Sequence, residues 1–212
     1  MSEQSESSYA IPAESITVEH EVKRSRFIAL VERIQDRQQA LAAIEQAKMR
    51  YPDARHHCWA YIAGPPEGAT SIAFNDDGEP QGTAGKPILN VLQHHKIGEV
   101  LVVVVRYFGG IKLGVGGLVR AYSGVTQAAL QQLPTTLKVP CITATVSCQY
   151  PFEPILKTLL SDYQGTIIDC QYTDQVVMAI QLPVENKQLM ATAIINKSKG
   201  QAIVSWPAYH EK

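Results

Sequence analysis

Charge is scarce in this chain. Only 18% of its 212 residues are Asp, Glu, Lys or Arg, and nineteen basic side chains nearly cancel twenty acidic ones. A formal charge of −1 and an isoelectric point near 6.6 exclude a protein that coats nucleic acid through bulk electrostatics. Any nucleic-acid contact must therefore come from a local patch. Cysteine is scarce as well: Cys58, Cys141, Cys148 and Cys170 form no C-x-x-C pair, which argues against a zinc site or a disulfide scaffold. They read as reduced, buried thiols of a cytoplasmic protein. No run of 18 apolar residues exists, so no membrane span is expected. The opening MSEQSESSYA lacks the basic start and apolar stretch of a signal peptide. The nucleophile motif G-x-S-x-G is missing too.

What is present is an ordinary globular composition, 45% hydrophobic, able to bury a core. The character of the chain changes at Leu133–Pro140, where two prolines bracket a segment with neither helical nor strand period. Residues 1–10 read as a flexible tail, 11–134 as a first domain, 135–140 as a linker and 141–207 as a second domain. In the second domain a strict alternation over 141–150 sets Ile142, Ala144, Val146, Cys148 and Tyr150 against Thr143, Thr145, Ser147 and Gln149. A helix opened by Pro154 carries the stripe Ile155, Leu156, Leu159, Leu160 and Tyr163. Strands over 166–172 and 176–182, a helix marked by Leu189, Ala193 and Ile194, and a strand over 201–206 complete the order β-α-β-β-α-β. This is a ferredoxin-like split arrangement with one open sheet face.

The first domain reads as a mixed α/β unit, giving an α+β class overall. Strands are expected over 16–22, 25–34, 55–63 and 70–74. A helix is expected over 37–50, N-capped by Asp36, with Leu41, Ile44, Ala47 and Tyr51 inward. A short helix follows Pro87. Val100–Val105 is apolar and β-branched without alternation, the pattern of a central strand buried on both faces. Val119, Tyr122, Thr126, Ala129, Leu130 and Leu133 trace the inner face of a last helix.

Two glycine-rich segments, 75–87 and 106–120, invite a phosphate-loop reading. Neither fits a template. Gly85-Lys86 is followed by Pro87 where a P-loop needs Ser or Thr, and Gly114-x-Gly116 is followed by Val119 where a dinucleotide fingerprint needs glycine. The physics beneath those templates still applies, because a strand leading through glycines into a helix exposes free N–H groups to an anion. From Val100 to Phe152 the chain carries Arg106, Lys112, Arg120 and Lys138 and no carboxylate. An anion site is therefore expected at Lys86, Arg106, Gly109, Gly110, Lys112, Gly114, Gly116, Gly117 and Arg120, and Gly116→Val is expected to disturb it. Arg55, His57 and Asp77 would support it. The plainer alternative is that the glycines make turns and the cations are solvated. His56 and His57 fall on opposite strand faces and cannot share a metal unaided. Asp76, Glu79 and His56 are the residues a hydrolase would use. Asp76 and Asp77 would either orient cations or hold a magnesium ion, and otherwise no cofactor is expected.

Ser25-Arg-Phe-Ile28, Asp53-Ala-Arg-His-His-Cys58, Asp76-Asp-Gly-Glu-Pro80 with Gly82-Thr-Ala-Gly-Lys-Pro87, and Val105-Arg-Tyr-Phe-Gly-Gly110 with Gly114-Val-Gly-Gly-Leu-Val-Arg-Ala-Tyr122 resemble the signature blocks of the IMPACT family, in its bacterial branch. The resemblance implies a first domain like the second domain of ribosomal protein S five. It implies a second domain like the last domain of the translocation elongation factor. Eukaryotic relatives act in translational control through an added N-terminal domain, which this sequence is expected to lack. The expectation is a cytoplasmic, non-enzymatic protein that binds RNA or the ribosome through the basic glycine loops and modulates translation. The alternatives are a hydrolase on a phosphorylated or peptide substrate, and an adaptor whose second-domain sheet binds protein.

Overall fold

A computed structural model describes residues 7–206. They form two compact units, one spanning Tyr9–Lys138 and the other starting at Val139. The first unit begins with β1 (Tyr9–Pro12), β2 (Ile16–Val22), β3 (Ser25–Arg33), α1 (Arg37–Arg50), β4 (His56–Ala63) and β5 (Ser71–Asn75). It continues with α2 (Gly85–His95), β6 (Val100–Tyr107), α3 (Val115–Gln132) and β7 (Thr135–Lys138). Five strands form an antiparallel sheet in the order β2-β3-β6-β4-β5. β6 lies in its centre, as the unbroken apolar run from Val100 to Val105 requires. Val100, Val102 and Val104 pack in one core with α2 and α3, while Leu101, Val103 and Val105 pack in another with α1. Fully burying each such side chain is worth about 1.5–3 kcal/mol, so a charge at Val103 would break the sheet from within.

Asp36 caps α1 by accepting from the Gln39 amide at 2.8 Å. The inner face of that helix differs from expectation. Ala40, Ala43, Ile44 and Ala47 are buried and Leu41 is exposed, because the helix lies close to the sheet on small residues. The segment expected as a linker contains β7, which pairs antiparallel with β1 from Tyr9↔Lys138 to Pro12↔Thr135. The break in side-chain period after Pro134 therefore marks a two-stranded ribbon. Tyr9 and Ala10, expected in the tail, are strand residues, and Tyr9 is buried. Residues 1–6 of that tail and 207 of the second domain lie outside the described residues. Glu99 anchors the ribbon. It is buried just ahead of β6, accepts from Tyr9 Oη at 3.2 Å and from Arg33 Nε and Nη2 at 3.0 and 2.8 Å, and pairs with Lys138. Burial alone would raise its carboxyl, but the Lys138 and Arg33 hydrogen bonds hold it below the usual range.

The second unit contains β8 (Cys141–Cys148), α4 (Glu153–Asp162), β9 (Thr166–Tyr172), β10 (Val176–Pro183), α5 (Lys187–Ser198) and β11 (Ile203–Ser205). Its antiparallel sheet runs β11-β8-β10-β9, the ferredoxin-like order. Val146, Cys148, Met178 and Ile180 share a core with Leu156, Leu160, Met190 and Ile194 of the two helices. Thr143, Thr145, Asp169 and Gln171 are exposed on the other face. Three details differ from the sequence reading. β8 stops at Cys148 because Pro151 lies in a 3-10 turn, Tyr150–Phe152, which leaves Tyr150 exposed. α4 buries Leu156, Leu159 and Leu160 but exposes Ile155, and α5 buries Met190 rather than Leu189. Cys141, expected buried, is exposed at the start of its strand.

Candidate functional site

Strand register assembles the site. Arg106 pairs with Phe27 on one side and with His56 on the other, so these three side chains line one face of β3-β6-β4. Cys58 lies two residues on from His56, on the same face, opposite Val104. That is the face covered by α3, whose Tyr122 hydroxyl reaches the same place. His57, shifted by one residue, faces α1. It sits 3.2 Å from the Tyr51 carbonyl, and burial lowers its pKa.

The loop between β5 and α2 closes over this row with its own carboxylates. Glu79 Oε1 accepts from Arg106 Nη1 at 2.6 Å and from Tyr122 Oη at 2.8 Å, and His56 Nε2 stands 4.0 Å away. Both partners of the Arg106–Glu79 pair are more than nine-tenths buried. Arg106 also lies 5.6 Å from the Phe27 ring and 5.7 Å from the Phe108 ring, while its Nε has no hydrogen-bond partner among the described residues. The single Cys58 S–H has two acceptors in reach, the Asp76 carbonyl at 3.0 Å and Tyr122 Oη at 3.3 Å. Burial pushes the pKa values of both Cys58 and Tyr122 far up, so neither is a nucleophile or base near neutrality.

Asp76 does the work of a helix cap from outside the helix. Its Oδ1 accepts from the amides of Ala84 and Gly85 at 3.0 and 2.8 Å, and its Oδ2 from Gly82 at 2.7 Å. Gly85 is required there, since a Cβ would stand 2.6 Å from the Asn75 carbonyl. The positive end of α2, where a P-loop would hold phosphate, is thus filled by a carboxylate of the same chain. Asp77, at φ 40°, accepts from the His57 amide at 2.6 Å, and its carbonyl lies 2.9 Å from His56 Nδ1. A carbonyl only accepts, so that ring nitrogen carries the proton. These contacts change the expected roles. Asp76 and Asp77 accept from backbone amides, and among the described residues no three His, Cys, Asp or Glu side chains form a metal cluster. Asp76, Glu79 and His56 do gather, and both Asp76 oxygens and Glu79 Oε1 are engaged in bonds that brace the loop. Arg106, expected to contact a ligand anion, faces Glu79.

The second glycine loop is built differently. α3 starts at Gly114, φ 71°, with no side-chain cap and no acidic residue in its first turn. The leading N–H groups of a helix have no partner within it, and Gly114, Val115 and Gly116 are exposed. Lys112 and Arg120 are exposed beside them, as are Phe108 and Ile111, and Gly110 lies at φ 84°. A Cβ on Gly116 would meet only Arg120 Nη1, at 3.6 Å. Gly116 is thus less demanding than expected, and Gly117 needs only a small adjustment of Leu113. Gly109 is the tight one. A Cβ there would overlap the Arg24 carbonyl at 2.0 Å, and its amide donates to Ser25 Oγ at 3.2 Å. Lys86 is exposed on the first turn of α2 and Arg55 just ahead of β4; neither makes an ion pair among the described residues.

Sequence reasoning did not find the roles of Tyr122 and Cys58 in this network. Tyr122 reads as a core residue from its helical spacing, and its hydroxyl was the available signal, because a buried hydroxyl needs a partner.

Residues 23–130 match the model of the Impact N-terminal domain, and residues 146–201 match a domain of unknown function, DUF1949. The chain is 42% identical over 193 residues to the IMPACT family member YigZ of Escherichia coli K12, covering 91% of this chain and 95% of that one. It is 36% identical over 196 residues to an IMPACT family member of Haemophilus influenzae, covering 92% and 95%. A crystal structure of a hypothetical protein superposes with a TM-score of 0.68 at 39% identity, covering 96% of this chain and 99% of the other. The chain belongs to the IMPACT family.

Proposed function

We propose that this IMPACT-family chain is a non-enzymatic cytoplasmic protein that binds RNA or the ribosome and modulates translation. The binding surface is the open loop from Phe108 to Arg120. The observation that carries this reading is the contrast at the two helix starts. α2 is neutralised by Asp76, whereas α3 is left uncapped among exposed Lys112 and Arg120 with no acidic residue in its first turn. Phosphate oxygens complement both features, since they accept from backbone N–H groups and pair with cations. The hydrolase reading loses ground because Asp76 and Glu79 are spent on internal bonds. Among the described residues no helix is long and apolar enough to cross a membrane.

Ribosome co-sedimentation at graded salt tests this. The protein is expected in the ribosomal pellet at low salt and in the supernatant as salt rises, because phosphate contacts release counterions. Lys112→Gln with Arg120→Gln should shift that release to lower salt. Absence from the pellet at low salt would count against the reading.

A further inference from the structure

The turn joining β2 to β3 is the most unusual backbone near the open loop. Val22 pairs with Ser25, so Lys23 and Arg24 form a two-residue hairpin loop, and both have positive φ, 47° and 64°. That is the type I′ geometry, which Asn-Gly suits and which long side chains fit poorly. The turn lies against the open loop, where Gly109 has no room for a Cβ beside the Arg24 carbonyl and its amide bonds Ser25. Both side chains are exposed, and neither forms an ion pair among the described residues. Glu19 of the neighbouring strand is already held by Arg26 through two bonds of 2.5 and 2.7 Å, which leaves Glu21 as the nearest free carboxylate in sequence. Phe108, next in the chain to Gly109, lies 5.7 Å from the Arg106 guanidinium and is 52% exposed.

We infer that the Lys23-Arg24 turn and Phe108 form the second half of the binding surface, and that its ligand is a single-stranded nucleic acid. This rests on the reading of the open loop given above. A base stacks on the exposed part of the Phe108 ring, whose position Arg106 fixes from beneath, and flanking phosphates are met by Lys23 and Arg24 on one side and by Lys112 and Arg120 on the other. Aromatic stacking between cations suits an unpaired strand, whose bases are free to leave one another; a duplex offers no such face. The strained turn is retained in place of Asn-Gly because it carries two of the charges.

The test is fluorescence anisotropy with a labelled oligouridylate of about twelve nucleotides, long enough for one such surface, at graded salt, against a duplex of equal length. Wild type is expected to prefer the single strand. Phe108→Ala should weaken that binding about tenfold and leave the salt slope unchanged. K23N/R24G should lower the slope by about 1.4, two contacts at about 0.7 each, while its urea midpoint rises because the turn relaxes. K23Q/R24Q, which keeps the turn's backbone demand, should show the same slope change without the gain in midpoint. Wild-type binding with an unchanged slope in both double variants would overturn the role of the turn and leave the open loop standing. Equal affinity for the duplex would overturn the stacking. A wild type that binds neither the oligonucleotide nor the ribosome would remove both readings.

Discussion

Two glycine-rich loops run from strands of one sheet into helices, and they differ in who supplies the negative charge. At α2 the chain supplies it, with Asp76 on the helix start and Glu79 on Arg106. At α3 no side chain among the described residues does. Glycine content alone does not distinguish a loop closed by its own chain from one left open. What distinguishes them is whether the loop's own carboxylates reach the amides and cations it creates. The acid-rich segment 76–79 folds back and closes its helix; the acid-free stretch from Val100 leaves its helix open.

The largest effects are expected on the closed side. Glu79→Ala strands Arg106 and should cost about 3–5 kcal/mol of stability, as removal of one member of a buried ion pair does; urea denaturation measures it. Asp76→Ala removes the acceptor of three amides and should cost about 2–3 kcal/mol, with hydrogen exchange at Ala84 and Gly85 accelerating first. A glycine exchange sharpens the contrast. Gly85→Ala forces a Cβ onto the Asn75 backbone and should destabilise, whereas Gly116→Ala, with only Arg120 nearby, should stabilise by about 0.5–1 kcal/mol through the helix. Equal responses at the two glycines would erase the distinction between the loops.

The smallest expected effect is a pH slope. His57, whose amide binds Asp77, has its pKa lowered by burial. The unfolded chain therefore takes up the proton first as pH falls through the ordinary histidine range near 6.5. Stability is complete above that range and declines below it until the folded state also protonates. His57→Gln should flatten this part of the stability–pH curve.

Much of this architecture is legible in the sequence, and the illegible parts share a cause. The β6 core strand, the Asp36 cap and the β-α-β-β-α-β order follow from local periodicity. The Arg106–Glu79 pair does not, because the partners are 27 residues apart and meet only through the register of β3, β6 and β4. The Lys23-Arg24 turn is legible as the gap between two expected strands, but its positive-φ backbone is not, because it lacks the Asn-Gly signal. β7 hides behind Pro134 because its pairing with β1 leaves Thr135, Thr136 and Leu137 exposed, so no alternation records it. Leu41, Ile155 and Leu189 mislead for a simpler reason: apolar residues at helical spacing are often solvent-facing.

On the proposed function, the start of α3 takes an anionic ligand while the start of α2 stays closed by Asp76 of the same chain. Backbone amide chemical shifts during titration with a short RNA test it most directly. The amides of Gly114, Val115, Gly116 and Gly117 are expected to move with ligand concentration while those of Gly82, Ala84 and Gly85 stay fixed. Movement at Ala84 and Gly85, with the α3 amides unchanged, would contradict it.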